Sequence, residues 1–265
     1  MERASIETIT PDFADRFKKS VVIEDVVLED GYLVFSGGRL WDTCSRSAVL
    51  HHKFNLLREY CKSSYIAWLF ALGRGVHNAM QEMFSDDAIG DWLCDICNEF
   101  QPELFIRKPF YCAFCGSNRL VYREHRFLNT LLGISGHPDQ ILEFDNRYVI
   151  EYKSISKKGF NELEGRPLEN AEKQIQTYID LTDLKEGYIV YINKGDLELL
   201  SRSMKWFKVV RDEVEILRQH NIIALYRAGI DSFPDNVPSR TCVNPKSKRA
   251  KNCSARDLCW SESWK

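Results

Sequence analysis

Two cysteine pairs, Cys94-Asp-Ile-Cys97 and Cys112-Ala-Phe-Cys115-Gly116, stand fourteen residues apart near the middle of the chain. Paired thiols at this spacing are a metal-ligand pattern, and four thiolates fill a tetrahedral zinc site completely. A segment this short cannot bury a core of its own, so the metal has to supply its folding energy. A closed structural site, a zinc ribbon over residues 90–118, is therefore expected. A catalytic zinc would need an open coordination position, which four thiolates leave no room for. The glycine after Cys115 frees backbone N–H groups to point at the sulfurs. There are nine cysteines in all, an odd count, and MERASIETIT lacks the basic-then-apolar layout of an export signal. Both facts argue against a disulfide framework.

With 265 residues, 44% of them apolar and 28% charged, the chain has the make-up of one globular domain plus a small module. No apolar run approaches the ~18 residues needed to span a bilayer. Membrane and secreted readings are poor, and a cytoplasmic location is expected. The net charge of −2 excludes a surface coated in positive charge but leaves room for a local basic groove.

Along the chain, VVIEDVVLEDGYLVF reads as strands around Glu29-Asp30-Gly31. Residues 45–84 read as helical, with Ile66, Leu69, Phe70, Val76, Met80, Met83 and Phe84 near a 3.6-residue period. Strands follow from Val121: LVYREHRFL, LLGISG, DQILEF and RYVIEYK. Leu168 to Leu184 is helical, with Leu168, Ala171, Ile175, Tyr178 and Thr182 on one face. GYIVYI and LELLS read as strands, Met204 to Ala228 as a long amphipathic helix, and the tail from about Asp231 as loop. Helices before, between and after a run of strands predict an α/β fold.

The chemistry concentrates on one predicted hairpin. It reads Gly136-His137-Pro138-Asp139, then eleven residues, then Glu151-Tyr152-Lys153. A two-residue turn centred on Asp145-Asn146 sets Asp139 opposite Tyr152, beside both Glu151 and Lys153. Glu151 and Lys153 then share one face of their strand. Two neighbouring acids repel unless a divalent cation neutralises them, and hard oxygen ligands suit Mg²⁺ or Mn²⁺. A lysine beside such an ion can orient a water whose pKa the ion lowers. Acid-x-lysine alone is common on solvated strand faces, but three further features bear on it. His77 follows Gly73 by one helical turn, and Gly73 would let that helix approach the sheet closely. Gln174 and Tyr178 share a face of the next helix. Glu124 is either a further acid near the metal or a solvated strand charge.

The ordered set Gly73…His77, Gly136…Asp139, Glu151-Tyr152-Lys153 and Gln174…Tyr178 resembles the RecB-like branch of the PD-(D/E)xK nuclease family. The resemblance covers residues ~70–180 and implies a restriction-endonuclease-like core, a mixed central sheet flanked by helices, over residues 1–89 and 119–265. It implies that His77, Asp139, Glu151 and the Tyr152 carbonyl bind Mg²⁺ or Mn²⁺. Lys153 would assist the attacking water, and Gln174 and Tyr178 would support the site. The activity it implies is metal-dependent DNA exonuclease. DNA ends or single strands would be the substrate, and helicase, integrase or recombination proteins are implied as possible partners. The rival is a nucleic-acid-binding module that keeps the nuclease core as scaffolding.

Part of that family, including CRISPR-adaptation nucleases and the AddB subunit, closes its domain with a four-cysteine [4Fe–4S] cluster. Here the resemblance points to Cys44, Cys242, Cys253 and Cys259, with Cys61 as the alternative to Cys44. The Cys242–Cys253 gap is longer than in the family, so a second zinc or unligated thiols remain alternatives. That gap carries Lys246, Lys248, Arg249 and Lys251, a phosphate-binding loop or a solvated charge run. Lys205, Lys208 and Arg211 on the last predicted helix, and Arg107 and Lys108 on the ribbon, invite the same reading.

Overall fold

Apolar alternation along the chain is resolved into two sheets in the computed structural model, which describes residues 26–29, 32–36, 44–54, 64–195, 203–251 and 253–261. The first elements are strands β1 (Val26–Glu29) and β2 (Tyr32–Ser36) and helices α1 (Ser45–Phe54) and α2 (Ser64–Met83). Seven strands follow: β3 (Ala88–Cys94), β4 (Ile106–Arg107), β5 (Leu120–Arg123), β6 (Phe127–Asn129), β7 (Ile134–Gly136), β8 (Gln140–Glu143) and β9 (Arg147–Ile155). Helices α3 (Lys157–Glu162) and α4 (Glu169–Thr182) lead to strands β10 (Glu186–Asn193) and β11 (Met204–Val210). Helices α5 (Glu213–Asp231), α6 (Lys248–Lys251) and α7 (Arg256–Ser261) close the described chain.

The larger sheet has seven strands in the order β11-β10-β9-β8-β3-β4, with β5 also paired to β3. Only β9 and β10 run parallel within it, and α3 and α4 make the crossover between them. Strand alternation divides the core. Ile150, Tyr152, Val190 and Ile192 face one side with Met80 of α2, while Val149, Ile189 and Tyr191 face Ala171, Ile175 and Ile179 of α4. Helices therefore cover both faces of a mixed sheet, the α/β layering expected from the sequence. A smaller sheet, β1-β2-β7-β6, lies beside them, where α5 packs Ile223, Tyr226 and Ile230 with Ala48 and Val49 of α1 and Ile134 of β7. Among the described residues no helix is long and apolar enough to cross a membrane.

The stretch read as one helix from Met204 to Ala228 is instead a strand and a helix. Met204–Val210 pairs antiparallel with β10, burying Val209 and leaving Lys208 and Trp206 towards solvent. Its β-branched and aromatic residues at period two outweigh the 3.6-residue pattern. Asp212 then starts α5, its carboxylate accepting from the N–H groups of Val214 (2.9 Å) and Glu215 (3.2 Å). LVYREHRFL is likewise split: β5 belongs to the large sheet and β6 to the small one. LELLS and Cys61 lie outside the described residues, and the tail read as loop contains α6 and α7.

The segment 90–118 is anchored through β3, whose first residues pair with β8 and whose last, Cys94, is a knuckle cysteine. Trp92, Cys94, Cys112 and Tyr122 belong to one hydrophobic cluster with Ile150 and Tyr152. On the other face, Ile175 is wholly buried between α4 and the sheet. Ile175→Ala is expected to cost roughly 3 kcal/mol, read as a lower urea midpoint without change of slope.

Candidate active site

The hairpin pairs Gln140 with Ile150, Ile141 with Val149, Leu142 with Tyr148 and Glu143 with Arg147. Three residues, Phe144-Asp145-Asn146, therefore make the turn rather than two. The Asp145 carboxylate takes the N–H of Asn146 (3.0 Å) and the hydroxyl of Tyr148 (2.9 Å), which draws the extra residue into the loop. Continued by one residue, this register sets Asp139 opposite Glu151, not Tyr152 as the two-residue turn implied. The two acids thus share a side of the sheet, and Asp139 Oδ2 accepts the Tyr152 N–H at 2.6 Å.

Glu151 and Lys153 project towards α4, where Gln174 and Tyr178 wait one turn apart. Glu151 Oε1 receives Lys153 Nζ at 2.7 Å and Gln174 Nε2 at 2.9 Å. Lys153 Nζ also donates to Gln174 Oε1 (2.7 Å), and Gln174 Nε2 to the Tyr178 hydroxyl (2.9 Å). Every bond falls on Oε1; Oε2 of this carboxylate, in a side chain 3% exposed, is buried with no hydrogen-bond partner. From the opposite face of the sheet, α2 brings His77 Nδ1 to 3.3 Å from Asp139 Oδ1. Both motif glycines make close approaches. A methyl group at Gly73 would meet Ser154 Oγ at 3.2 Å, and one at Gly136 would meet the Tyr178 ring at 2.6 Å.

The electrostatics follow from this crowding. Burial and the Asp139 charge push the Glu151 pKa up from the carboxylate range, against the pull of Lys153. Burial would lower the pKa of His77, but its bond to Asp139 and the charges of Asp139 and Glu151 together outweigh that and raise it. Burial likewise works against the Lys153 ammonium, and Glu151 more than restores it. Oxygen and imidazole donors around a bare buried carboxylate oxygen are what a hard divalent cation satisfies. His77, Asp139 and Glu151 do not bring all three ligand atoms within 4.8 Å of one another.

Two residues not nominated from the sequence, Gln81 and Gln140, also belong here, together with Glu124. Gln81 donates to Glu124 Oε1 and to the Asp139 main-chain oxygen, both at 2.8 Å. Gln140, wholly buried, accepts the Tyr152 hydroxyl at 2.6 Å. Glu124, left open between two readings, stands beside Asp139 on the outer side, and the partial enclosure of its carboxyl and the Asp139 charge push its pKa up. Gln81 follows His77 by four residues on the same helix face, a signal available in the sequence.

The four paired cysteines converge: their sulfurs all lie within 4.8 Å of one another. Cys94–Cys115 and Cys97–Cys112 are 3.5 and 3.6 Å apart, near the ~3.8 Å of sulfurs at ~2.3 Å from a tetrahedral ion. The two knuckles repeat one geometry. The N–H two residues after the first cysteine points at its sulfur, Ile96 to Cys94 and Phe114 to Cys112, each at 3.4 Å. Asn98 (φ 58°) and Gly116 (φ 72°) close the loops in the left-handed region. A Gln101 hydrogen bond lowers the Cys112 thiol pKa despite burial.

Among the described residues no such single-ion group includes Cys44, Cys242, Cys253 and Cys259, but the start of α1 meets the segment 241–253. Cys44 bonds Thr241, and Cys253 Sγ lies 3.5 Å from Ser47 Oγ, one turn along α1. A cavity of about 570 Å³ is lined by Cys44, Thr241 and Arg249. Most of the cations proposed for phosphate are engaged elsewhere. Lys205 donates to the carbonyls of Phe160 and Leu163, Lys208 pairs with Glu186, and Arg211 with Asp180 and Glu213. None of these three stands on a helix, contrary to the expectation: Lys205 and Lys208 are on β11, and Arg211 is in the connection to α5. Arg107 pairs with Glu143 and Lys108 with Asp86. Lys246, Lys248 and Lys251 are exposed around α6.

Compared with known proteins, the chain shares its fold with the crystal structure of an alkaline exonuclease (LHK-Exo) from Laribacter hongkongensis. The TM-score is 0.50 at 13% identity, over 75% of this chain and 88% of that one. The same exonuclease in complex with dAMP aligns at TM-score 0.44 and 12% identity, over 74% and 87% of the two chains. SSO0001 aligns at TM-score 0.44 and 15% identity, over 89% and 88%. No family profile and no curated protein matches the sequence.

The raised Glu151 pKa gives a pH dependence of fixed sign. A carboxyl whose folded-state pKa exceeds its unfolded one stabilises fully below the unfolded value, and that stability is lost as pH rises through the folded one. Each unit of displacement is worth about 1.4 kcal/mol. Metal-free protein is expected to show a lower urea midpoint at pH about 8 than at about 5. In Glu151→Gln the difference shrinks.

Proposed function

We propose that this chain is a divalent-metal-dependent DNA exonuclease. The observation that carries the reading is the convergence of His77, Asp139, Glu151, Lys153 and Gln174 where α2 and α4 meet the central strands β8 and β9, in a fold shared with an alkaline exonuclease. His77 Nδ1, Asp139 Oδ1, Glu151 Oε2 and the Tyr152 carbonyl are the donors that would hold Mg²⁺ or Mn²⁺. Such an ion supplies positive charge to a phosphodiester and lowers the pKa of a water. Lys153, fixed by Glu151 and Gln174, would orient the attacking water towards phosphorus. The water oxygen would bond to phosphorus as the bond to the leaving 3′- or 5′-oxygen breaks in line, the water giving up a proton to solvent and the departing oxygen taking one up. Tyr178 braces Gln174, and the exposed lysines around α6 contribute salt-dependent contacts to the DNA backbone.

The four clustered thiols take zinc in this reading, since tetrahedral thiolate sites with all positions filled are structural. The tail cysteines take an iron–sulfur cluster, supported by the meeting of Cys44 with Thr241 and of Cys253 with Ser47. Elemental analysis and the visible spectrum of freshly purified protein check both. One zinc with about four irons and a brown colour is expected, and colourless iron-free protein removes the cluster. Cys112→Ser is expected to release the zinc and lower the melting temperature.

Labelled single- and double-stranded DNA incubated with the protein and Mg²⁺ or Mn²⁺ tests the activity. Wild type is expected to release nucleotides from ends, and Asp139→Ala to slow this by roughly 10³-fold while DNA binding persists. Wild type that binds DNA and cleaves none with either metal would overturn the exonuclease in favour of a binding module.

A further inference from the structure

The chemistry-bearing groups of the site do not account for how Asp139 is aimed. Asp139 stands just outside β8, one residue before the strand begins. It is nonetheless 8% exposed and fastened at two atoms. Its main-chain oxygen accepts Gln81 Nε2 at 2.8 Å, and its Oδ2 accepts the Tyr152 N–H at 2.6 Å. Those two partners are themselves joined. The Tyr152 hydroxyl donates to Gln140 Oε1 at 2.6 Å, and Gln140 Nε2 donates to the Gln81 main-chain oxygen at 2.8 Å. Four hydrogen bonds thus close a circuit through α2, β8 and β9 around one carboxylate. Only Oδ1 is left facing His77.

The orientation of the Gln81 amide is unambiguous. Its two neighbours, the Glu124 carboxylate and the Asp139 carbonyl, are acceptors, so the NH₂ end faces both and spends one hydrogen on each. Alanine here would release the Asp139 carbonyl and the Glu124 carboxylate together. It would leave His77, Glu151 and Lys153 in place.

We propose that Gln81 is a positioning residue that fixes the Asp139 carboxylate for divalent-cation binding. The proposal rests on the nuclease reading of this site and adds to it the device that pre-organises the acid. Partners that orient metal ligands typically cost 10–100-fold in metal affinity or activity when removed. Gln81 acts through Asp139 and touches no substrate, so its loss is expected to appear in the metal requirement rather than in the rate at saturating metal.

The test uses the full chain, with Mn²⁺ as probe, in two measurements: calorimetric Mn²⁺ binding, and cleavage of labelled DNA as a function of Mn²⁺. Gln81→Ala is expected to raise both the dissociation constant and the half-maximal Mn²⁺ concentration roughly tenfold, with the rate at saturating Mn²⁺ within about twofold of wild type. Gln81→Asn, which withdraws the amide by one methylene, falls between them. Melting without added Mn²⁺ and without chelator shows that both variants fold. Unchanged Mn²⁺ affinity in folded Gln81→Ala, or a rate lowered equally at every Mn²⁺ concentration, overturns the proposal and leaves the exonuclease standing. Wild type that neither binds Mn²⁺ nor cleaves DNA overturns the reading beneath it. Glu124→Gln keeps an acceptor for Gln81 while removing a charge. If it alone reproduces the whole defect of Gln81→Ala, Gln81 serves Glu124 and not Asp139, and the proposal fails.

Discussion

Two carboxylates held side by side under a helix are the constraint around which this structure is arranged. Asp139 and Glu151 are 8% and 3% exposed, so water cannot screen their repulsion. The fold tolerates the pair by giving each acid a different kind of support. Asp139 receives a main-chain N–H, a donor whose position the sheet dictates. Glu151 receives an ammonium and an amide on a single oxygen. Neither arrangement neutralises both charges, and one buried oxygen stays bare. A protein core accepts an unsatisfied acceptor at a cost of about 1–3 kcal/mol, a cost that cation binding would remove.

Backbone approach makes that arrangement possible. The ring of Tyr178 occupies the volume a side chain at Gly136 would fill, so α4 settles low enough for Gln174 to reach Glu151. On the opposite face, Gly73 lets α2 come down on Ser154, and His77, four residues along, then meets Asp139. The parallel pairing of β9 with β10 obliges the chain to cross the sheet between them, and α4 is part of that crossover. The helix carrying Gln174 and Tyr178 is therefore placed by the same connection that places Glu151 and Lys153.

Much of this was legible in the sequence because it is local or periodic. The Cys-x2-Cys pairs, the alternation in RYVIEYK and the helical spacing of His77 from Gly73 and Tyr178 from Gln174 each translate into a face or a ligand set. What misled was local competition. Asp145-Asn146 promises a two-residue turn, but the Asp145 carboxylate prefers the Asn146 N–H and the Tyr148 hydroxyl, and the added loop residue shifts the register by one. In MKWFKVV, apolar residues satisfy both a helical and a strand period, and only pairing with β10 decides between them. Gln140 was invisible for another reason, and Gln81 showed only its spacing from His77: a glutamine carries no chemistry of its own, and its role exists only once α2, β8 and β9 are assembled.

The cysteine module is bound to the site by the same logic of shared strands. β3 begins against β8, whose hairpin partner carries Glu151, and ends at Cys94. Trp92, with its indole N–H on the Ile106 carbonyl, packs edge-on against Tyr122, and both lie in the cluster that holds Tyr152. Tyr152 is thus braced from one side by the module and from the other by Gln140, while its main-chain N–H holds Asp139. A metal on the four thiols would therefore lower the free energy of the same packed core that fixes the acid pair, with no ligand or bond in common between the two sites. Coupling of this kind needs no signal passing along the chain. It follows from two sites drawing on one cooperative unit of folding.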